Sequence, residues 1–262
     1  MTSSQRSPTE GMRTAISIAC CVISLIFSSC SNPSEYAVLI SANAEWRVIT
    51  ALYPDQPRQA SPWGEFFQTT INGQNVLFFH GGWGKVAAAG STQYVIDRFN
   101  PRVLINLGTC GGIEGQSEKF ETILADRTVI YDIQEAMGDS KEAIDHYTTT
   151  LDLSWIRTPY PVTVRRTLLV SGDRDLRRDE LTMLQSTYGA VAGDWETGAI
   201  AHVAYRNNKQ LMILRGISDV VSTKQGEAYG NLELFVQRTD TVMRKLMRDL
   251  PVWIDHLEKT AR

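Results

Sequence analysis

The sequence predicts an α/β fold: a single domain with a central mixed, largely parallel sheet flanked by helices. Three observations predict it. Apolar runs such as "YAVLI", "NVLFF", "VLINL" and "LMIL" are continuous rather than alternating, as in strands covered on both faces. Segments with helical spacing separate these runs, so strands and helices alternate along the chain. The chain has 262 residues, 43% of them hydrophobic and 21% charged, which is enough to bury one sizeable core.

Tyr36 to Ser41 reads as the first buried strand, and "ANAEWRVITALY" as a loop running into a helix that stops at Pro54. "DQPRQASPWG" is rich in turn formers and reads as a surface excursion. "NVLFFH" is the second strand, broken by "GGWGK", and "VAAAGSTQYVIDRF" has helical spacing up to Pro101. "RVLINLG" is the third strand, ended by the glycines of "GTCGG". "ETILADRTVIYDI" suggests a further strand, and patterning is weak from there to about Tyr160. "TVRRTLLVSGD" is another strand and "RRDELTMLQSTY" a helix. "AVAGDWE" is a short strand turning into the helix "TGAIAHVAYRN", and "QLMILRG" is the last core strand. The C-terminal "NLELFVQRTDTVMRKLMRDLPVWIDHLEK" is a long amphipathic helix, expected to kink or break at Pro251.

The formal net charge is -3 and no long single-sign run occurs, which argues against nucleic acid or an anionic membrane surface as a partner. The N-terminus is a different kind of sequence. Arg13, the apolar run Ala15 to Phe27 and the small residues of "SSCSNPS" make the three-part pattern of an export signal over residues 1–30, with the domain proper at 31–262. The apolar run is shorter than the roughly 20 residues of a membrane-spanning helix. "FSSC" resembles the bacterial lipoprotein box, which implies a lipid anchor on Cys30 and an exported, periplasm-facing protein; Phe27 stands where the box usually has leucine. The alternative is an uncleaved apolar arm on a cytoplasmic protein. Beyond the leader only Cys110 remains, so there is no internal disulfide and no ligand set for a metal. Between glycines, Cys110 reads as a small buried residue rather than a nucleophile.

In parallel sheets ligands bind at the carboxyl ends of the strands. The polar residues there are Asn43, Glu45 and Arg47, then His80 to Lys85, Thr109, Ser171 to Asp175, Asp194 with Glu196, and finally Arg215, Ser218 and Asp219. They include no Ser-His-Asp set and no histidine pair. The inventory favours general acid–base chemistry on a small polar molecule, with no cofactor. "LGTCGG" reads either as a tight turn or as a place where free amides and the Thr109 hydroxyl hold an anion or a hydroxyl-rich group. Its glycine spacing is not that of a dinucleotide-binding loop. Asp219, set between Ile217 and Val220, reads as a turn cap or as an acid whose pKa burial raises.

The segments "GGWGKVAAAGSTQYVIDRFNPRVLINLGTCGG", "LLVSGD", "GDWETGAIAHVAY" and "LMILRGISDVV" occur in that order. Together they resemble the nucleoside phosphorylase superfamily, and most closely its 5'-methylthioadenosine/S-adenosylhomocysteine nucleosidase branch, from about Tyr36 to the C-terminal helix. The resemblance implies hydrolysis of the N-glycosidic bond of a purine nucleoside. Asp219 would protonate N7 of the departing base, with Ser218 orienting it. Glu196 would bind the ribose hydroxyls, and Trp195 stands where a methionine usually packs beneath the sugar. Thr109 would lie beside the nucleophilic water or phosphate. A homo-oligomer is expected by the same resemblance.

Two departures bear on mechanism. Ungapped pairing puts Trp46 where the water-activating acid stands, one position after Glu45, so either Glu45 serves or the base is missing. After "SGD" the chain has Arg174 and Asp175, where the family places a base-stacking phenylalanine; adenine specificity is therefore open. Three readings follow: a nucleosidase with Glu45 activating water, a phosphorylase with phosphate on Arg47 and Thr109, and an exported nucleoside-binding protein without catalysis.

Overall fold

The continuous apolar runs fold as strands with almost no exposed surface; Tyr36, Ala37, Val38, Val76, Leu77, Phe78, Val103, Leu104 and Ile105 are fully buried. The structure is a computed structural model that describes residues 34–260. The expected export signal over 1–30, with Cys30, lies outside the described residues. Among the described residues, no helix is long and apolar enough to cross a membrane.

In chain order the elements are β1 (Tyr36–Ile40), α1 (Asn43–Leu52), β2 (Gln59–Ala60), β3 (Glu65–Ile71), β4 (Gln74–His80), α2 (Gly84–Phe99), β5 (Val103–Ile113) and β6 (Thr122–Ile130). They continue with α3 (Ser140–Tyr147), β7 (Thr149–Thr150), β8 (Arg165–Ser171), α4 (Leu181–Tyr188), β9 (Ala192–Asp194), α5 (Thr197–Arg206), β10 (Gln210–Val221) and α6 (Leu232–Thr260). Strand β5 is the hub. It runs parallel to β1 on one side and to β10 on the other, and its far end pairs antiparallel with β9. Strand β10 continues to β6, β6 to β8 and β8 to β9, so these strands and β5 close a ring. Strands β4, β3 and β2 extend the sheet outward from β1. The result is the α/β architecture with a mixed sheet that the apolar runs predict. Helix α6 covers β5 and β10 and packs against α1, while α5 lies over β6 and β8 and against α2.

Differences from the sequence reading have local causes. Strand β3 forms a hairpin with β4 through Asn72 and Gly73, whose φ angles of 50° and 81° suit a two-residue turn between twisted strands. Strand β5 does not end at the glycines of "GTCGG" but runs through them to Ile113, and β10 runs past Gly216 to Val221. In both strands glycine admits a close neighbour rather than breaking the ladder. A Cβ on Gly108 would collide with the Arg215 guanidinium, and one on Gly216 with the Val242 side chain of α6. Helix α6 is continuous through Pro251, because its buried stripe of Met243, Leu246, Leu250, Trp253, Ile254 and Leu257 extends on both sides of the proline.

Between β10 and β5 the register shifts: Ile217 faces Cys110 and Asp219 faces Gly111, leaving Ser218 as the extra residue of a bulge. A bulge re-aims the side chains around it. Here it turns Ser218 and Asp219 toward the cleft described below.

Gly216→Ala should wedge α6 off β10 and lower stability by about 1–3 kcal/mol, the usual cost of overpacking. Urea unfolding measures it, and an unchanged midpoint would show that α6 does not depend on this close approach.

Candidate active site

Glu45 is the third residue of α1, and its Oε2 accepts the N–H of Ala42 at 3.1 Å, an acid reaching back over the helix start. Its Oε1 accepts both the Thr109 amide at 2.6 Å and the Thr109 hydroxyl at 2.9 Å. Trp46, one helical step of about 100° further on, faces elsewhere. Its indole donates to Glu65 at 2.6 Å and stacks on His80 with ring centres 5.3 Å apart. Of the two residues competing for the acid's place, Glu45 stands in the cleft and Trp46 belongs to the core.

Behind Glu45 lies Arg215, only 1% exposed. Its Nε is 3.2 Å from Asp194, its Nη1 3.7 Å from Glu45 and its Nη2 3.6 Å from Glu196. It also donates to the Asn106 side chain and to the Thr109 carbonyl, each at 3.1 Å. Burial works against its charge, but Asp194, Glu45 and Glu196 outweigh that and hold the guanidinium protonated. Asp194 is itself fixed by donors from Ser171, Glu196 and Thr197 around the first turn of α5. With three carboxyl groups on one guanidinium, one of them keeps a proton. Burial pushes Glu196 up to about 8; Arg215 opposes this, while Asp194 and Glu45 add to it. The Gly84 amide donates to Glu196 at 3.0 Å and holds it in place.

Asp219 is 5% exposed, and the Ser218 hydroxyl donates to it at 2.7 Å. Burial raises its pKa; the Ser218 hydrogen bond and Arg238 act the other way, and Glu227 and Asp175 reinforce the rise. It does not cap a turn, since its strand runs on to Val221.

These groups line one cleft of about 780 Å³, which brings together Glu45, Arg47, Thr109, Trp195, Glu196, Ser218 and Asp219. All seven residues singled out from the sequence therefore share one wall or another of it. Two expectations change. The Thr109 amide and hydroxyl both donate to Glu45, so they are not free to hold an anion. Arg47 is exposed at the cleft and, among the described residues, its guanidinium has no partner. Trp195 is half-buried beneath Trp83, with ring centres 6.4 Å apart; Trp83 is 64% exposed. Trp83, Leu176 and Tyr229 also line the cleft. The sequence reading passed over them because it searched strand ends for polar side chains. Lys85 does not line the cleft. It pairs with Asp132 and lies 3.8 Å from Asp173, while its amide donates to Asp173 at 2.7 Å, which ties the start of α2 to the loop after β8. His202 sits against His146 and Tyr147, away from the cleft. Among the described residues no group of His, Cys, Asp and Glu is placed to hold a metal ion.

A parallel-centred sheet with a buried arginine–carboxylate cluster and a buried aspartate of raised pKa at its strand ends defines the class of site. Family comparison makes it specific: the chain belongs to the phosphorylase superfamily, whose model matches residues 30–250. It is similar to the 5'-methylthioadenosine/S-adenosylhomocysteine nucleosidase of Thermotoga maritima, 29% identical over 172 residues, covering 63% of this chain and 75% of that one. It is 28% identical over 186 residues to the nucleosidase of that name from Haemophilus influenzae, covering 67% of this chain and 81% of that one. Among solved structures, a Helicobacter pylori nucleosidase mutant with 5'-methylthioadenosine in its active site superposes with a TM-score of 0.68 at 15% identity, covering 83% of this chain and 97% of that one. A futalosine hydrolase mutant from the same species superposes with a TM-score of 0.68 at 15% identity, covering 85% and 99%.

The raised pKa of Glu196 makes stability depend on pH. A carboxyl that binds its proton more tightly folded than unfolded contributes fully below its unfolded value near 4.5, and that contribution is lost as pH rises through about 8. Glu196→Gln, which stays neutral throughout, should flatten this decline. Unfolding free energies at pH 5, 6.5 and 8 test it; parallel profiles for both proteins would mean Glu196 is already ionised at pH 5.

Proposed function

We propose that this protein hydrolyses the N-glycosidic bond of a purine nucleoside of the 5'-methylthioadenosine/S-adenosylhomocysteine type. The observation that carries the reading is one cleft lined by Asp219, whose pKa burial raises, together with Glu45 and Glu196. As the bond from sugar C1 to the base breaks, its electron pair goes to the base, and Asp219 donates a proton to N7. The carboxyl groups beside the sugar ease the positive charge that builds there. Glu45 takes a proton from water, whose oxygen bonds to C1. Glu196 holds the ribose hydroxyls. The names borne by the relatives agree with this substrate class.

Water suits the site better than phosphate. Near Thr109 an anion would meet three carboxyl groups gathered on a single guanidinium, and the Thr109 donors are already engaged. Arg47 is the one cleft cation that favours the phosphorylase reading, since Arg174 pairs with Glu180 at 3.0 Å. The non-catalytic reading rests on a missing water-activating acid, and the presence of Glu45 in the cleft argues against it.

Incubation with methylthioadenosine, adenosine and inosine, with and without phosphate, separates the three. The expected result is base release that needs no phosphate. A strict phosphate requirement would make the protein a phosphorylase, and binding without turnover a carrier. Asp219→Asn and Glu45→Gln should each slow base release by about 10²- to 10⁴-fold, the usual worth of a general acid or base. In the unmodified enzyme kcat should fall as pH rises through the elevated pKa of Asp219, because only the protonated form can donate. A rate indifferent to Asp219→Asn takes that residue out of the mechanism.

A further inference from the structure

Asp219 marks where the base lies on the reading above, and Asp175 and Tyr229 line the same cleft. The Tyr229 ring rests on Gly226, where an added Cβ would lie 2.5 Å from it, and its hydroxyl donates to the Leu176 carbonyl at 2.9 Å. The ring is thus pinned at both ends, yet it is 41% exposed and, among the described residues, stacks on no other ring. It offers a flat face to the cleft.

Asp175 is exposed and, among the described residues, has neither a hydrogen bond nor an ion pair. Its neighbour Arg174 does not neutralise it, being paired with Glu180 and lying over the Tyr131 ring at 5.3 Å. Burial is the main cause of the raised pKa at both Asp219 and Tyr229, and the Asp175 charge adds to each, so all three groups lie within electrostatic reach of one another.

We propose that Asp175 is the residue that selects the base, accepting a hydrogen bond from an amino group at purine C6 while the Tyr229 ring stacks on the base plane. The inference rests on the glycosidase reading of the cleft. In a purine, N7 and the C6 substituent share one edge, so a base that offers N7 to Asp219 turns its C6 substituent toward the neighbouring carboxylate. An amino group there donates to Asp175. An oxo group presents lone pairs to a negative charge, and the carboxylate is left unpaired. A site built to accept a hydrogen bond rejects the analogue that cannot donate one. Stacking on Tyr229 is indifferent to the substituent, because every base has a π-face.

The test compares kcat/KM for adenosine and inosine in the unmodified protein, Asp175→Asn and Tyr229→Leu, together with the Kd of free adenine and free hypoxanthine by calorimetry. The unmodified protein should favour the 6-amino member of each pair. Asp175→Asn, whose amide can donate to an oxo group, should shrink that preference roughly 10- to 100-fold, the worth of a hydrogen bond to a charged group. Tyr229→Leu should weaken both members together and leave their ratio alone. An Asp175→Asn ratio equal to that of the unmodified protein, in turnover and in base binding, overturns the proposal. If neither nucleoside is cleaved, the glycosidase reading fails, and the adenine-to-hypoxanthine Kd ratio still decides the role of Asp175.

Discussion

The rest of the site depends on a single buried cation. Arg215 reaches Glu45 from α1, Asp194 from the end of β9 and Glu196 from the start of α5, and so joins three separate parts of the chain. Taking a guanidinium out of water is costly, and removing one member of a buried ion pair typically destabilises by about 3–5 kcal/mol. Here that cost is offset by three carboxyl groups, the Asn106 side chain and a backbone carbonyl. Gly108 makes the arrangement sterically possible, since any side chain there would occupy the space of the guanidinium. The strand that looked broken by glycine is continuous because the arginine needs its face bare.

That constraint also sets the protonation states on which chemistry depends. Three carboxyl groups around one positive charge leave the cluster short of cations, and burial makes Glu196 the member that keeps a proton. On the proposed reading, a neutral nucleophile suits such surroundings better than an anionic one. Asp219, next to a β-bulge, also has its pKa raised mainly by burial, and the Ser218 hydroxyl that donates to it works the other way. One fold thus raises the pKa of two acids chiefly by burial, with neighbouring carboxylates adding to the rise at each.

Much of this was legible in the sequence. Continuous apolar runs identify β1, β4, β5 and β10, and the strand-end rule gathers Glu45, Glu196, Ser218 and Asp219 before any coordinates. Other features were not legible, for physical reasons. Choosing between Glu45 and Trp46 requires knowing where α1 begins, because one residue turns a side chain through about 100°. The full lengths of β5 and β10 depend on what packs against Gly108 and Gly216, which lie far away in sequence. Strand β3 was overlooked although Asn72–Gly73 is a strong hairpin signal. Tyr229 gives no local sign of its place, since contacts remote in sequence, such as its hydroxyl on the Leu176 carbonyl and Arg178 on the Lys224 carbonyl, hold that loop.

The central claim is that a cleft organised around Arg215, whose charge three carboxyl groups already face, admits water, not phosphate, to the sugar carbon. Running the reaction in ¹⁸O-labelled water with phosphate present tests it most directly, by mass spectrometry of the released sugar. The account predicts the label in the hydroxyl at C1 and no phosphorylated sugar. A sugar 1-phosphate without the label would contradict it.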